Sequence, residues 1–80
     1  MWEIEFSREA NNYAIDSHPY NEAVLLAIEQ LAFSKDGWPS EGVYRALDNW
    51  CIWEIANHIV LYEKEDRTLY IYLWMIKPKE

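Results

Sequence analysis

The sequence predicts an α+β domain, with two N-terminal helices packed on one face of a small, mostly antiparallel β-sheet. Three observations carry this reading. A period-2 run opens the chain, one strong helical stripe follows, and the second half returns to period-2 apolar runs separated by turn residues. Helices grouped before strands in this way pack as one layer on another. The 80 residues form a single domain, 1–80, of a size at which the buried fraction is small. Five Trp and six Tyr compensate, since each aromatic side chain buries a large area.

Trp2, Ile4 and Phe6 alternate with Glu3 and Glu5, giving a first strand with one acidic face. Ser7 is placed to cap a short helix that carries Ala10, Tyr13 and Ala14 on one side. Asp16-Ser17-His18-Pro19 breaks that helix, and Pro19 suits the first turn of a second, where its missing N–H is no loss. Val24, Leu25, Ile28, Leu31 and Ala32 then form one apolar stripe, with Glu22, Glu29 and Gln30 on the wet side. The helix ends near Ser34, before the loop Lys35-Asp36-Gly37-Trp38-Pro39. Val43 to Leu47 is a short strand and Asp48-Asn49 a turn. Trp50 to Ile55 and His58 to Glu63 pair through a tight hairpin at Ala56-Asn57. Lys64-Glu65-Asp66-Arg67 is a charged turn into the last strand, which Pro78 closes.

That last strand runs Leu69 to Ile76 without a charge. Uninterrupted alternation puts Leu69, Ile71, Leu73 and Met75 on one side and Tyr70, Tyr72, Trp74 and Ile76 on the other. A strand apolar on both faces must be covered on both, and one helical stripe covers only one. The remaining face calls for another chain.

Composition narrows the function. A hydrophobic fraction of 51% excludes intrinsic disorder. One cysteine excludes an internal disulfide framework, so a reducing, cytoplasmic setting is expected. No signal peptide and no membrane partner are expected, because no basic-then-apolar leader opens the chain and no apolar run is long enough to span a bilayer. A net charge of −7 disfavours a nucleic-acid binder, whose affinity rests on Lys and Arg neutralising phosphates. No metal or cofactor is expected: the two His and one Cys have no ligand spacing, and Gly37 and Gly42 make no phosphate loop.

The order of elements and several segments together resemble the RelE/ParE toxin superfamily of type II toxin–antitoxin modules. Trp2-Glu3-Ile4-Glu5-Phe6-Ser7 resembles that family's first strand and helix start, and Ile28-Glu29-Gln30-Leu31-Ala32 the end of its second helix. Arg45-Ala46-Leu47 is similar to its basic segment before the central strands. Ile52-Trp53-Glu54-Ile55-Ala56-Asn57-His58-Ile59-Val60-Leu61-Tyr62-Glu63 resembles its hairpin, and Lys77 stands where a basic residue follows the last strand. The resemblance covers nearly the whole chain and lies in the order of the motifs.

It implies a toxin-like protein neutralised by a cognate antitoxin, with a homodimer as the other way to cover the sheet. It also implies, by analogy alone, a target in the ribosome and its mRNA or in DNA gyrase. RNA-cleaving members carry Arg or Lys across the exposed sheet face; the corresponding positions here are Ile52, Glu54 and Ile59. The catalytic candidates are Lys77 and Arg45 as cations and His58 as acid or base, the last weighed against a hydrogen-bonded sheet histidine. Alignment with the family puts Tyr70, Tyr72 and Trp74 in the core. The partner-binding face is then Ile52, Glu54, Ile59, Leu61, Ile71, Leu73 and Met75. A non-catalytic interaction module that kept this fold is the competing expectation. Cys51 is expected to be a buried, inert thiol, and Lys64 a solvated turn charge.

Overall fold

The computed structural model describes residues 1–16 and 21–79. The helix start expected at Pro19, and His18 before it, lie outside the described residues. In chain order the elements are β1 (Glu3–Phe6), α1 (Arg8–Asp16), α2 (Glu22–Leu31), β2 (Val43–Leu47), β3 (Trp50–Ile55), β4 (His58–Glu65) and β5 (Tyr70–Pro78). One five-stranded sheet has the order β1-β5-β4-β3-β2, with β1 parallel to β5 and every other pair antiparallel. This is the α+β class and the helix-then-sheet order that the sequence predicts. No helix among the described residues is long and apolar enough to cross a membrane.

The helices cover one face. Val24, Ile28 and Leu31 of α2 and Ala10 of α1 are buried with Trp53, Val60, Tyr62, Ile71, Leu73 and Ile76 of the sheet. Leu25 and Tyr13 pack at the margin, so the helical stripe falls where its 3.6-residue period puts it. β2 forms one edge of the sheet and is exposed along its whole length.

Ser7 joins two levels of this structure. Its Oγ accepts the Ala10 N–H at 3.1 Å, capping α1. Its hydroxyl donates to the Trp74 carbonyl at 2.7 Å. That carbonyl belongs to a β-bulge: Leu61 faces Met75, but its neighbour Tyr62 faces Leu73. Trp74 is therefore the extra residue of β5, and the alternation slips by one there. Leu73 points inward, Trp74 and Met75 outward, and Ile76 inward again, with Leu73 0%, Trp74 41% and Ile76 4% exposed.

The turns follow local chemistry. Ala56 and Asn57 both take positive φ, at 52° and 61°, as a two-residue hairpin requires. Leu69, expected in the last strand, instead sits at φ 53° in the turn before it. Its carbonyl accepts the Glu3 N–H at 2.8 Å, which sets where β1 docks on β5.

The loop between α2 and β2 is pinned to the core by side chains. Tyr62 donates to the Gly37 carbonyl at 2.7 Å, and Trp53 Nε1 to the Glu41 carbonyl at 2.8 Å. Lys64 Nζ donates to the Asp36 carbonyl at 2.6 Å and pairs with Asp66 at 3.0 Å, lying 4.1 Å from the Trp38 ring centroid. Lys64 is thus a buried strand residue, 7% exposed, and not the solvated turn charge expected. β4 runs to Glu65 and keeps Lys64 in phase with the inward residues Tyr62 and Val60. Gly42, at φ 78°, leaves no room for a side chain: a Cβ there would run into the Glu54 carbonyl oxygen.

Ser7→Ala removes the cap and strands the Trp74 carbonyl. It is expected to lower stability by about 2 kcal/mol and Tm by roughly 10 °C in thermal circular dichroism. A shift within about 2 °C would show that the bulge stands without this bond.

Candidate functional site

With the helices on one side, the opposite face of the sheet is the surface the fold leaves open. Its rows follow from strand register, because residues paired across strands share a face. One row runs Glu3, Tyr70, Glu65 across β1, β5 and β4. The next runs Glu5, Tyr72, Glu63, Trp50, Leu47 across all five strands. Beyond the bulge come Met75, Leu61, Ile52, Arg45 and then Lys77, Ile59, Glu54, Val43.

The face has two ends. One is acidic and aromatic. Trp74 stacks on Trp50 with ring centroids 5.7 Å apart at 29°, and Tyr72 meets Trp74 edge-on at 4.6 Å and 74°. Tyr70 donates a hydrogen bond to Glu5. That bond, first, and then partial burial and the Glu5 charge push the Tyr70 hydroxyl up to about 12, so it stays a donor at neutral pH. The other end is apolar, with Ile52, Ile59, Leu61 and Met75 flanked by Arg45, Lys77 and Lys79. Lys79 is already paired with Glu54 at 2.6 Å in a half-exposed bridge, of a kind that adds little stability.

The structure divides the expected partner face. Ile52, Glu54, Ile59, Leu61 and Met75 lie on the open side as expected. Ile71 and Leu73 do not: both are 0% exposed in the core beneath the helices. They are corrected to core residues, and Tyr70, Tyr72 and Trp74 take the open side in their place. Both faces of β5 are apolar, so composition did not decide which one the helices cover; the bulge at Trp74 then breaks the strict alternation, so Met75 shares a face with Tyr72 and not with Leu73.

The three catalytic candidates do not converge. Arg45 on β2 and Lys77 on β5 share the open face but stand three strands apart, roughly 14 Å at strand spacing. Apolar Ile52, Leu61 and Ile59 fill the ground between them. His58 is on the other face, 5% exposed. Its Nδ1 donates to the Ala56 carbonyl at 2.7 Å and its Nε2 meets the Tyr13 hydroxyl at 2.6 Å. Both ring nitrogens are consumed in tying α1 to the hairpin. This is the hydrogen-bonded sheet histidine weighed at the outset.

A shallow depression of about 390 Å³ brings Arg45, Ile52 and Glu54 together with Val43 and Tyr44 at the β2–β3 edge. A larger cleft of about 570 Å³ opens between the end of α2, the following loop and β2, lined by Phe33, Trp38 and Tyr44 with Lys35 and Glu41 at its rim. It contains none of the catalytic or partner-binding candidates expected from sequence. Among the described residues no three His, Cys, Asp or Glu side chains gather as a metal-ligand set.

Sequence reasoning missed Trp50, Glu63 and the outward β5 aromatics as site residues. A signal existed. Glu3 and Glu5 had to face water, and parallel pairing of β1 with β5 carries that facing to Tyr70 and Tyr72. The pairing itself is not written in local periodicity.

No protein-family model, no curated protein and no solved structure matches the chain.

Cys51 is wholly buried in the core. Burial pushes its thiol up to about 11, partly countered by its hydrogen bond with Tyr62 and the charge of Lys64. Since the folded value exceeds the unfolded one, the neutral thiol's contribution to stability is full below about pH 8.5 and is lost as pH rises towards about 11. At pH 8 the native thiol should alkylate at least about a hundredfold more slowly than in 6 M guanidinium, as followed by iodoacetamide mass shift. Equal rates would mean that Cys51 is neither buried nor raised in pKa.

Proposed function

We propose that the chain is a toxin-like component of a type II toxin–antitoxin module in which the sheet serves protein binding and not RNA cleavage. The family part of this reading rests on the sequence resemblance to RelE/ParE proteins. The non-catalytic part rests on one observation of geometry. Arg45 and Lys77 are separated by an apolar strip while His58 is locked on the opposite face. Phosphodiester cleavage by a 2′-hydroxyl needs cations converging on the developing phosphorane charge and a proton carrier within reach of it. A face with Ile52, Leu61, Ile59 and Met75 at one end and carboxylates at the other suits a protein.

In this reading an antitoxin segment lies across the open face, and a second copy of the chain covers it when no antitoxin is present. Burial of the apolar end drives either assembly at roughly 25 cal/mol per Å², offset by the loss of translational and rotational freedom. Inhibition of DNA gyrase is the competing toxin activity; it rests on the ParE side of the resemblance and on no contact in the structure.

Two measurements test the proposal. In a purified translation system the chain should leave mRNA intact, whereas induced expression in a bacterial host should slow growth. Codon-specific cleavage abolished by Lys77→Ala would overturn the non-catalytic reading. Leu61→Lys puts a charge in the middle of the apolar end without touching the helix-packed core. It should convert a concentrated, self-associating wild type to a monomer in sedimentation velocity, with an unchanged helical circular dichroism signal. A wild type that is already monomeric at high concentration would remove self-association from the proposal.

A further inference from the structure

We propose that the acidic–aromatic end of the open face is a docking site for arginine side chains of an extended, basic partner segment. This deepens the protein-binding reading above and rests on it for the partner's being a protein. The carboxylates alone do not make the case. What does is their placement around the half-exposed rings of the open face. Tyr70 and Tyr72 on β5 are flanked by Glu3 and Glu5 on β1 and by Glu65 and Glu63 on β4, each directly across in register. Every flanking carboxylate is therefore about 5 Å of strand spacing from a tyrosine. Trp74, on the same face as Tyr70 and Tyr72 and 41% exposed, extends the ring surface over Glu63, to which its indole N–H points at 3.5 Å.

Among the described residues, none of these four glutamates has a cationic partner; the ion pairs there are Lys64 with Asp66 and Lys79 with Glu54. Among the described residues the lysine that lies over tryptophan rings is Lys64, on the other side of the sheet against Trp2 and Trp38. The open-face rings and carboxylates thus present complementary halves of a cation site with the cation left to a partner. A guanidinium is the group that uses both: it stacks flat on an aromatic face while its N–H fork engages a carboxylate. An ammonium gains the charge but not the stack. Geometry also sets the partner's spacing. Tyr70 and Tyr72 are two residues apart on one strand, roughly 6.6 Å, which an extended segment with a cation at every second residue reproduces. A bulge that re-aims one side chain beside this block fits the usual place of bulges next to binding surfaces. The net charge of −7 adds long-range attraction for the same partner.

The test uses the whole chain with two probe peptides, acetyl-Arg-Thr-Arg-Thr-Arg-amide and its lysine counterpart, read by tryptophan fluorescence in low salt. The arginine peptide should bind roughly two- to fivefold more tightly than the lysine peptide. Trp74→Ser should abolish that preference while leaving residual binding of both. Glu63→Gln should weaken both peptides by a similar factor, and added salt should weaken them further. Circular dichroism confirms that each variant is folded, and Glu5→Gln serves as a second carboxylate variant should Glu63→Gln lose structure. Equal affinity for the two peptides, or a preference that survives Trp74→Ser, would overturn the inference, as would no binding at millimolar peptide. Because Leu61-dependent assembly is scored separately, failure here leaves the wider protein-binding reading standing, and failure there does not decide this one.

Discussion

The bond between the Ser7 hydroxyl and the Trp74 carbonyl ties the first helix to the phase change that decides which residues at the end of β5 face water. β5 is central in the sheet, with β1 on one side and β4 on the other, so any change of phase along it moves side chains between the core and the open face. The bulge is such a change, and the bulged carbonyl would lack a ladder partner without a donor. Ser7 supplies that donor from the first turn of α1 while its oxygen caps the same helix. The start of α1, the phase of β5 and the makeup of the open face are thereby one structural decision. Without the bulge, continued alternation would turn Met75 in and Ile76 out, so the core would lose Ile76 and the open face would lose Met75.

On the opposite face the problem is different: a long loop must be held against a sheet by few residues. The solution is a set of buried donors aimed at backbone carbonyls. Tyr62, Trp53 and Lys64 donate to the carbonyls of Gly37, Glu41 and Asp36. Each bond has a modest net value, yet leaving any of these donors buried and unpaired would cost more than the bond supplies. Burial also pushes the Tyr62 hydroxyl well above the phenol range, which keeps it protonated and donating at any ordinary pH. A lysine packed between Trp2 and Trp38 keeps its charge satisfied through Asp36, Asp66 and the ring faces together. This network is why a small sheet with two short helices keeps a defined loop between α2 and β2.

Much of the fold was legible in the sequence, and what was not has a common physical character. The strands, the stripe of α2, the Ser7 cap and the Ala56-Asn57 hairpin are local patterns, and each was readable from periodicity or turn chemistry. The facing of β3 and β4 was readable too, so Ile52, Glu54, Ile59 and Leu61 fall on the open side. Ile71 and Leu73 were misplaced because both faces of β5 are apolar, and composition then gives no reason to prefer one. Lys64 was misplaced because charge near a turn normally means solvent, and only the tertiary position of Trp2, Trp38 and the loop carbonyls makes its burial tolerable. The facing of Met75 and Ile76 together with that of Trp74 depended on a bulge whose carbonyl is held from 67 residues away in sequence. Such a contact leaves no trace in any local window.

The two ends of the open face place different demands on whatever covers it. The apolar end is satisfied by any complementary apolar surface, a second copy included, since burial is not directional. The acidic end is not. Bringing two copies together with their acidic blocks aligned would crowd eight carboxylates from Glu3, Glu5, Glu63 and Glu65 of each chain, and like charges in an interface are strongly selected against. Only an arrangement that sets the acidic block against cations escapes this penalty. Arg45, Lys77 and Lys79 sit at the far end of the same face, so a second copy could meet the demand only with its strands reversed. A basic partner segment meets it in either direction and releases the repulsion that the free chain carries. The apolar end therefore supplies the tendency to associate, and the acidic end decides with what.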